Sequence, residues 1–215
     1  MTRVALMTGG SRGIGAATAA MLRDRDWNVL VLRRSDADLV FPARVAHWTN
    51  KNPFERLDAM LLCAGEWFSH LFSEQWLSAY CQSYDVAVRS SVVLLQAYLP
   101  ALKAAGGCVV AVASTRGFIG GVDTAPYSAA KAAQIALIQG FAREYKGVRF
   151  NAVCPGLTDT DIGREVIRTG GANADAVPQP PSAVAAEIVR LIESEDNGRV
   201  MRIVDGKATE AKWNW

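Results

Sequence analysis

The segment that decides the fold is Val4-Ala5-Leu6-Met7-Thr8-Gly9-Gly10-Ser11-Arg12-Gly13-Ile14-Gly15, close to the start of the chain. Its first four residues are apolar and predict a buried strand, and residues 16–25 beyond it have the composition of a helix. Glycines between a strand and a helix allow a tight turn, a close backbone approach to a pyrophosphate and close packing of the helix. The free N–H groups at the helix N-terminus favour an anion at the same place. The segment therefore predicts a dinucleotide-binding unit.

The second predicted strand, residues 28–32, is apolar after its first residue and is expected to be buried on both faces. It ends in Arg33-Arg34. A carboxylate at this point would bind the ribose hydroxyls of an adenosine, whereas arginines bind a 2′-phosphate through charge-assisted hydrogen bonds. Arg12 in the glycine turn is placed to reach the same phosphate. Three arginines without a carboxylate predict NADP(H), and the alternative is a solvated basic edge.

Short apolar runs predict five further strands, at residues 43–48, 59–63, 108–113, 148–153 and 200–204. Helical patterns lie at residues 73–104, at 127–143 and after Ser182, which is the predicted N-cap of the last helix. Only residues 54–57 remain for a helix before the fourth strand, so this crossover is expected to be cut to a turn or two. Residues 161–181 are expected to form an irregular loop over the site.

Strands and helices alternate along the whole chain. This alternation predicts a single doubly wound Rossmann domain of the α/β class over residues 1–215. We expect a mostly parallel seven-stranded sheet in the order 3-2-1-4-5-6-7, with helices on both faces.

Three side chains offer acid–base chemistry. Tyr127 and Lys131 lie four residues apart near the start of a predicted helix and therefore share one face. A neighbouring ammonium stabilises a phenolate and is expected to lower the phenol pKa from about 10 toward neutral, which makes the phenol a proton shuttle. Ser114 ends the fifth predicted strand, at the edge where α/β sheets bind ligands, so its hydroxyl can hold a substrate oxygen. Chance occurrence of Tyr-x-x-x-Lys in a helix is the alternative.

The composition argues against several classes of function. A net charge of +2 on 215 residues favours neither nucleic acid nor an anionic membrane as a partner. No apolar run approaches the roughly 20 residues that cross a bilayer. Four widely spaced cysteines and two histidines predict no metal site. The first residues lack the pattern of a signal peptide, so we expect a cytoplasmic protein.

A face of small residues runs along the predicted helix 127–143. Ala129, Ala133, Ala136 and Gly140 repeat at helical spacing, which permits close packing either on the sheet or on another subunit. We expect a homodimer or homotetramer. Trp213 and Trp215 are interpreted either as a cover over a neighbouring subunit's site or as a loose tail.

Taken together, these motifs resemble the short-chain dehydrogenase/reductase family over essentially the whole chain. Thr8-Gly9-x-x-x-Gly13-x-Gly15 is similar to the family's cofactor turn. Ser114 and Tyr127 are 13 positions apart, as in the family's Ser-Tyr-Lys arrangement, which Lys131 completes. Residues 151–156, with Thr160 beyond them, resemble the segment that faces the nicotinamide, and residues 204–206 resemble the end of the usual final strand.

The resemblance implies a role for each of these residues. Tyr127 would be the acid in carbonyl reduction and the base in alcohol oxidation, Ser114 would hold the substrate oxygen, and Lys131 would lower the tyrosine pKa and bind the nicotinamide ribose. It also implies a cofactor-binding set: Gly9, Ser11, Arg12, Gly13, Ile14, Gly15, Arg33, Arg34, Ala64, Gly65, Tyr127, Lys131, Pro155, Gly156, Thr158 and Thr160.

The implied function is NADPH-dependent reduction of a ketone or aldehyde, reversible to oxidation of a secondary alcohol. The substrate is expected to be a small or mid-sized, fairly apolar molecule. Its pocket is expected to be lined by Trp67, Phe68, Phe118, Ile119 and the 161–181 loop.

Besides the shortened crossover before the fourth predicted strand, the sequence departs from the family pattern at three points. Leu62-Cys63-Ala64-Gly65 replaces the family's Asn-Asn-Ala-Gly. Ala87 aligns with an asparagine that supports a water-linked proton path, and His47 aligns with an acidic residue near the adenine. These departures leave two alternatives open: a cofactor-binding scaffold or sensor with little turnover, and an enzyme of this fold that dehydrates or isomerises its substrate.

Overall fold

Seven strands form one sheet in the computed structural model, which describes residues 2–67, 77–170 and 175–211. The strands are β1 (Val4–Thr8), β2 (Asn28–Leu32), β3 (Ala59–Leu62), β4 (Cys108–Val112), β5 (Arg149–Pro155), β6 (Val200–Val204) and β7 (Lys207–Glu210). Their order is β2-β1-β3-β4-β5-β6-β7, and among these described strands only the β6–β7 pair is antiparallel. The predicted seven-stranded, mostly parallel sheet is confirmed.

Helices cover both faces of this sheet. They are α1 (Gly13–Arg23), α2 (Pro42–Lys51), α3 (Leu77–Tyr84), α4 (Ser90–Ala105), α5 (Ala125–Glu144), α6 (Asp161–Arg168) and α7 (Pro181–Glu193). A π-helical turn, Asp85–Arg89, joins α3 to α4. The predicted helix 127–143 is therefore confirmed as α5, and the described part of the predicted 73–104 segment is helical.

The sheet separates two hydrophobic cores. Successive side chains of a strand point to opposite faces, so Leu6 of β1 packs in one core, and Ala5 and Met7 pack in the other. The first core contains side chains of α2, α4 and α5, and the second contains side chains of α1 and α7. The carboxyl ends of the parallel strands lie together at one edge of the sheet, between the two helix layers. Ligands of such sheets bind at this edge.

The predicted third strand at residues 43–48 is wrong, because these residues belong to α2. Pro42 occupies the first turn, where its fixed φ and missing N–H suit a helix. Val45 and Thr49 then lie one turn apart and are both buried. The connection before β3 therefore keeps a ten-residue helix. The chain is short here because residues 33–58 contain no strand.

The edges of the sheet differ from the prediction for the same reason. Among the described strands, β2 pairs only with β1, so it is an edge strand and not buried on both faces: Leu30 is 39% exposed. At the opposite edge, β7 completes the sheet through a hairpin at Asp205-Gly206. Both turn residues have positive φ, which a type I′ hairpin turn requires.

Two further boundaries are corrected. Residues 161–168 form α6 and not an irregular loop, because the Thr160 hydroxyl accepts a hydrogen bond from the Gly163 N–H and caps the helix. The N-cap of α7 is Pro180, so Ser182 lies inside the helix. The predictions for Phe68, Trp213 and Trp215 concern positions outside the described residues.

Candidate active site

A cavity of about 810 Å³ runs along the carboxyl ends of β1 to β5. It brings together every residue that the sequence predicted for the catalytic and cofactor-binding sites. These are Ser114, Tyr127 and Lys131 together with Gly9, Ser11, Arg12, Gly13, Ile14, Gly15, Arg33, Arg34, Ala64, Gly65, Pro155, Gly156, Thr158 and Thr160.

Two glycines of the turn at one end of the cavity leave no room for a side chain. Gly9 has a φ of +67°, and a Cβ there would lie 2.7 Å from the backbone nitrogen of Ala64 at the end of β3. A Cβ on Gly15 would collide with the Gly9 carbonyl oxygen. Arg12 is the N-cap of α1 but its side chain does not cap the helix, and the first turn contains no acidic residue. The close backbone and the uncapped N–H groups fit the pyrophosphate of a dinucleotide.

Carboxylates accompany two of the three predicted phosphate-binding arginines. Arg12 donates to Asp161 of α6 at 2.6 Å. Arg34 lies 3.1 Å from Asp38 and 3.5 Å from Glu66. The sequence-based expectation of a strand end without carboxylates is therefore wrong.

Arg33 differs from these two arginines. Among the residues that the structure describes, no carboxylate lies within ion-pair distance of its guanidinium. His47 is exposed on α2 and lies outside the cavity wall, whereas Asp38 is part of that wall. Asp38, which was not predicted from the sequence, is thus an acidic residue of the cavity wall close after β2.

Ser114 and Tyr127 meet at the other end of the cavity. Ser114 follows β4, and its hydroxyl accepts a hydrogen bond from the Arg116 N–H at 3.1 Å, which starts a short 3₁₀ turn, Thr115–Gly117. Tyr127 is the third residue of α5 and is 9% exposed. A side-chain hydrogen bond joins the two hydroxyls. The predicted pair is therefore in contact.

The pKa of Tyr127 lies above its usual value, and not below it as the sequence predicted. Burial raises this pKa, and the hydrogen bond with Ser114 and the charge of Arg116 oppose the rise. The Lys131 ammonium lies 5.8 Å from the centroid of the Tyr127 ring. The phenol is consequently protonated at neutral pH in the protein alone.

Lys131 is held by two acceptors. Its ammonium donates to the Val112 carbonyl at 2.7 Å and to Gln134 Oε1 at 3.1 Å. Burial lowers the pKa of Lys131 to about 8. Gln134 was missed by the sequence analysis, although a polar residue three positions after Lys131, on the buried face of α5, was the available signal.

The alanine that replaces the family's asparagine lies in the π-helical turn. Ala87 is buried, and its carbonyl accepts a hydrogen bond from the Ser91 hydroxyl at 2.9 Å. Its methyl group offers no polar atom to a water. The departure noted from the sequence therefore remains in the folded chain.

Apolar side chains and two arginines line the end of the cavity beyond Ser114 and Tyr127. The predicted Trp67, Phe118 and Ile119 are all in the wall. The Trp67 ring packs edge-on against the Tyr127 ring, with centroids 5.0 Å apart. Arg116 and Arg202 also line the cavity, although neither was predicted for the site from the sequence.

Within residues 2–67, 77–170 and 175–211, no three His, Cys, Asp or Glu side chains are grouped so that they could hold a metal ion. None of the helices in that part of the chain combines the length and the apolar character of a membrane span. The sequence-based predictions on metal and membrane stay predictions.

Comparisons with known proteins agree with this architecture. Residues 43–170 match the profile of the short chain dehydrogenases. An uncharacterized oxidoreductase of Staphylococcus saprophyticus is 28% identical over 187 residues, which cover 74% of this chain and 80% of that protein. The structure of ElxO with NADP bound has a TM-score of 0.83 at 24% identity, covering 96% of this chain and 98% of ElxO.

A second solved structure carries the other nicotinamide cofactor. The 3-ketoacyl-(acyl-carrier-protein) reductase of Brucella melitensis, complexed with NADH, has a TM-score of 0.84 at 18% identity. The superposition covers 95% of this chain and 97% of the reductase. At these identities the two structures establish a shared fold and leave the chemistry to the site itself.

Proposed function

The chain belongs to the short-chain dehydrogenase family, and from that premise we propose that it is an NADPH-dependent oxidoreductase that reduces a ketone or an aldehyde. The observation that carries the proposal is the hydrogen-bonded pair of Ser114 and Tyr127 in the wall of the same cavity as the glycine turn. A hydroxyl pair of this kind can orient a carbonyl oxygen and protonate it.

The residues that would hold the cofactor extend along the cavity. The glycine turn and the α1 N-terminus suit the pyrophosphate, and Arg12, Arg33 and Arg34 suit a 2′-phosphate. Tyr127 and Lys131 would contact the nicotinamide ribose, and residues 155–160 would face the ring. The bound cofactor supplies the hydride, and the protein orients it and manages the proton.

The protonation of Tyr127 favours the reductive direction. Because burial raises its pKa, the phenol holds its proton at neutral pH and can give it to a carbonyl oxygen. The Ser114 hydroxyl is hydrogen-bonded to the phenol in the protein alone and is placed to bind the same carbonyl oxygen. The Lys131 ammonium, which donates to Val112 and Gln134, places a positive charge 5.8 Å from the centroid of the Tyr127 ring.

Replacing Tyr127 with Phe tests the proposed acid. Loss of a general acid typically costs about 10²–10⁴ in rate, so we expect a fall of that order in kcat for carbonyl-dependent NADPH oxidation. NADPH affinity should change little, because most cofactor contacts remain. The measurement is NADPH absorbance against a panel of ketones and aldehydes.

Tyr145→Phe is the matched control, since Tyr145 packs on Phe141 and Phe150, away from the cavity. A Tyr127→Phe protein as active as the Tyr145→Phe protein would contradict the proposed mechanism. A wild-type protein that binds NADPH but oxidises none with any carbonyl would instead favour the scaffold alternative. Product analysis separates reduction from dehydration or isomerisation.

Replacing Arg33 with Gln tests the cofactor preference. Arg33 is the predicted phosphate-binding arginine without a carboxylate partner in the described part of the chain, so its full charge remains for a 2′-phosphate. We expect NADPH affinity to fall by about tenfold or more, and NADH affinity by less than about twofold. Calorimetric titration of both cofactors measures this, with Arg25→Gln, outside the cavity, as the control. Equal losses for NADPH and NADH would defeat the 2′-phosphate assignment.

A further inference from the structure

We infer that the substrate carries a carboxylate in addition to its carbonyl group, and that Arg202 binds this carboxylate. The inference rests on the proposed function and names the class of substrate that the site accepts. It replaces the fairly apolar substrate expected from the sequence with a molecule that has an apolar body and one anionic group.

The position of Arg202 follows from strand pairing. In the β5–β6 register Arg202 lies opposite Cys154, and paired residues of neighbouring parallel strands point to the same face. Cys154 is buried next to the catalytic end of the cavity, because its thiol accepts a hydrogen bond from the backbone N–H of Ser114. One strand, β5, therefore lies between Arg202 on β6 and the end of β4, which Ser114 follows.

The contact with Phe118 fixes the direction of the Arg202 side chain. Its guanidinium carbon lies 5.9 Å from the centroid of the Phe118 ring, and both residues line the cavity. A guanidinium packed on an aromatic ring keeps its N–H edge available for hydrogen bonds. The fork of donors thus lies beside the space that a substrate of Ser114 and Tyr127 would fill.

The charges of the cavity wall are divided between its two ends. Its described acidic residues, Asp38, Glu66 and Asp161, all pair with arginines of the cofactor end. Within the described residues, no carboxylate lies within ion-pair distance of Arg202. On the same hairpin, Arg199 is paired with Asp196 and Glu210.

The neighbours of Arg202 favour a carboxylate on an apolar body. Trp67, Phe118 and Ile119 provide apolar walls at this end. A planar guanidinium binds a carboxylate through two parallel charge-assisted hydrogen bonds. Such a contact becomes stronger when the substrate excludes water from the cavity. The carboxylate then fixes the substrate at one point while Ser114 and Tyr127 hold its carbonyl oxygen.

A keto acid and its ester test the inference directly. We expect the wild-type protein to reduce 4-acetylbenzoate with a kcat/KM about tenfold or more above that for methyl 4-acetylbenzoate. Arg202→Gln should raise KM for the acid by about tenfold or more, change kcat little and leave the ester unaffected. Arg202→Lys should restore part of the affinity, and Arg199→Gln is the matched control.

A binding measurement decides the inference without turnover. Calorimetric titration of the full chain, saturated with NADP⁺, with 4-ethylbenzoate should give a Kd that Arg202→Gln weakens by about tenfold and Arg199→Gln leaves unchanged. Equal Kd values for wild type and Arg202→Gln, or absence of binding to wild type, would overturn the inference. If the wild-type protein binds 4-ethylbenzoate in a way that depends on Arg202 but reduces no carbonyl compound, only the proposed function is overturned.

Discussion

Burial acts on the two ionisable residues of the Ser-Tyr-Lys site in opposite directions. It raises the pKa of the Tyr127 phenol and lowers that of the Lys131 ammonium to about 8, because in each case burial disfavours the charged form. At neutral pH the phenol is therefore protonated and the amine is charged. The amine is stabilised by the Val112 carbonyl and the Gln134 amide oxygen, which are both buried with it.

The lowered pKa of Lys131 predicts a pH-dependent stability. The unfolded chain, with a lysine pKa of 10.5, binds more protons than the folded chain between pH 8 and 10.5. The charged lysine thus costs stability in full below this window, and the cost disappears as the pH rises through it. Lys131→Met removes the cost at every pH.

We therefore expect the free energy of unfolding of Lys131→Met, relative to wild type, to fall by ~2–3 kcal/mol as the pH rises from 8 to 10.5. Urea unfolding at both ends of the window measures it. Lys51→Met, at an exposed position, should give a difference that does not change with pH. A pH-independent difference for Lys131→Met would show that the folded and unfolded pKa values are equal.

At the residue scale, the sequence located the site but not its electrostatics. The spacing of Ser114, Tyr127 and Lys131 was sufficient to place them in one cavity, because strand and helix geometry fix their relative positions. The partners of Arg12 and Arg34 depend on how distant segments meet: Asp161 is 149 positions from Arg12. For the same reason the sequence could not show that burial outweighs the lysine charge at Tyr127.

The helix α5 carries both the catalytic residues and a face of small residues. Ala129, Ala136 and Gly140 are exposed, and Ala133 is half-buried, so this face is turned away from the sheet. Of the two interpretations left open by the sequence, packing on the sheet is therefore excluded for most of the face. Contact with a second copy of the chain remains our proposal, since a face of small residues lets two helices approach closely.

Replacing Ala136 with Arg tests this proposal. A charged, bulky side chain in the middle of such a face should prevent close approach, so we expect a wild-type dimer or tetramer to become a monomer. Sedimentation equilibrium measures the mass, and Ala20→Arg, on the exposed face of α1, is the control. A monomeric wild type, or an Ala136→Arg protein with wild-type mass, would contradict the proposed interface.

At the element scale, two helices were mispredicted although their start signals are in the sequence. Pro42 occupies the first turn of α2, and Thr160 caps α6. In α2 the apolar residues also fitted a short strand, and only the contacts of Val45 and Thr49 with the core distinguish the two. Short segments of this kind are decided by the packing around them more than by their own composition.

At the scale of the whole molecule, the family resemblance led to the right fold from an incorrect strand list. The β1-α1-β2 unit and the strands β3 to β6 were all located, because buried parallel strands are continuous apolar runs. The predicted third strand, residues 43–48, was placed outside β2, whereas the strand missing from the prediction, β7, lies beyond β6. Asp205-Gly206 was the available signal for that hairpin, since this pair favours a type I′ turn.

Because β2 is an edge strand, the sheet can accept a further strand beside it. With β1 on one side only, half of the backbone hydrogen-bonding groups of β2 lack a strand partner among the described residues. An insertion between Leu32 and Pro42 can add a strand at this edge without disturbing any existing pairing between strands. An extended segment of another protein chain can also pair with this open edge. A charged residue in place of the exposed Leu30 would oppose such pairing and reduce aggregation at high protein concentration.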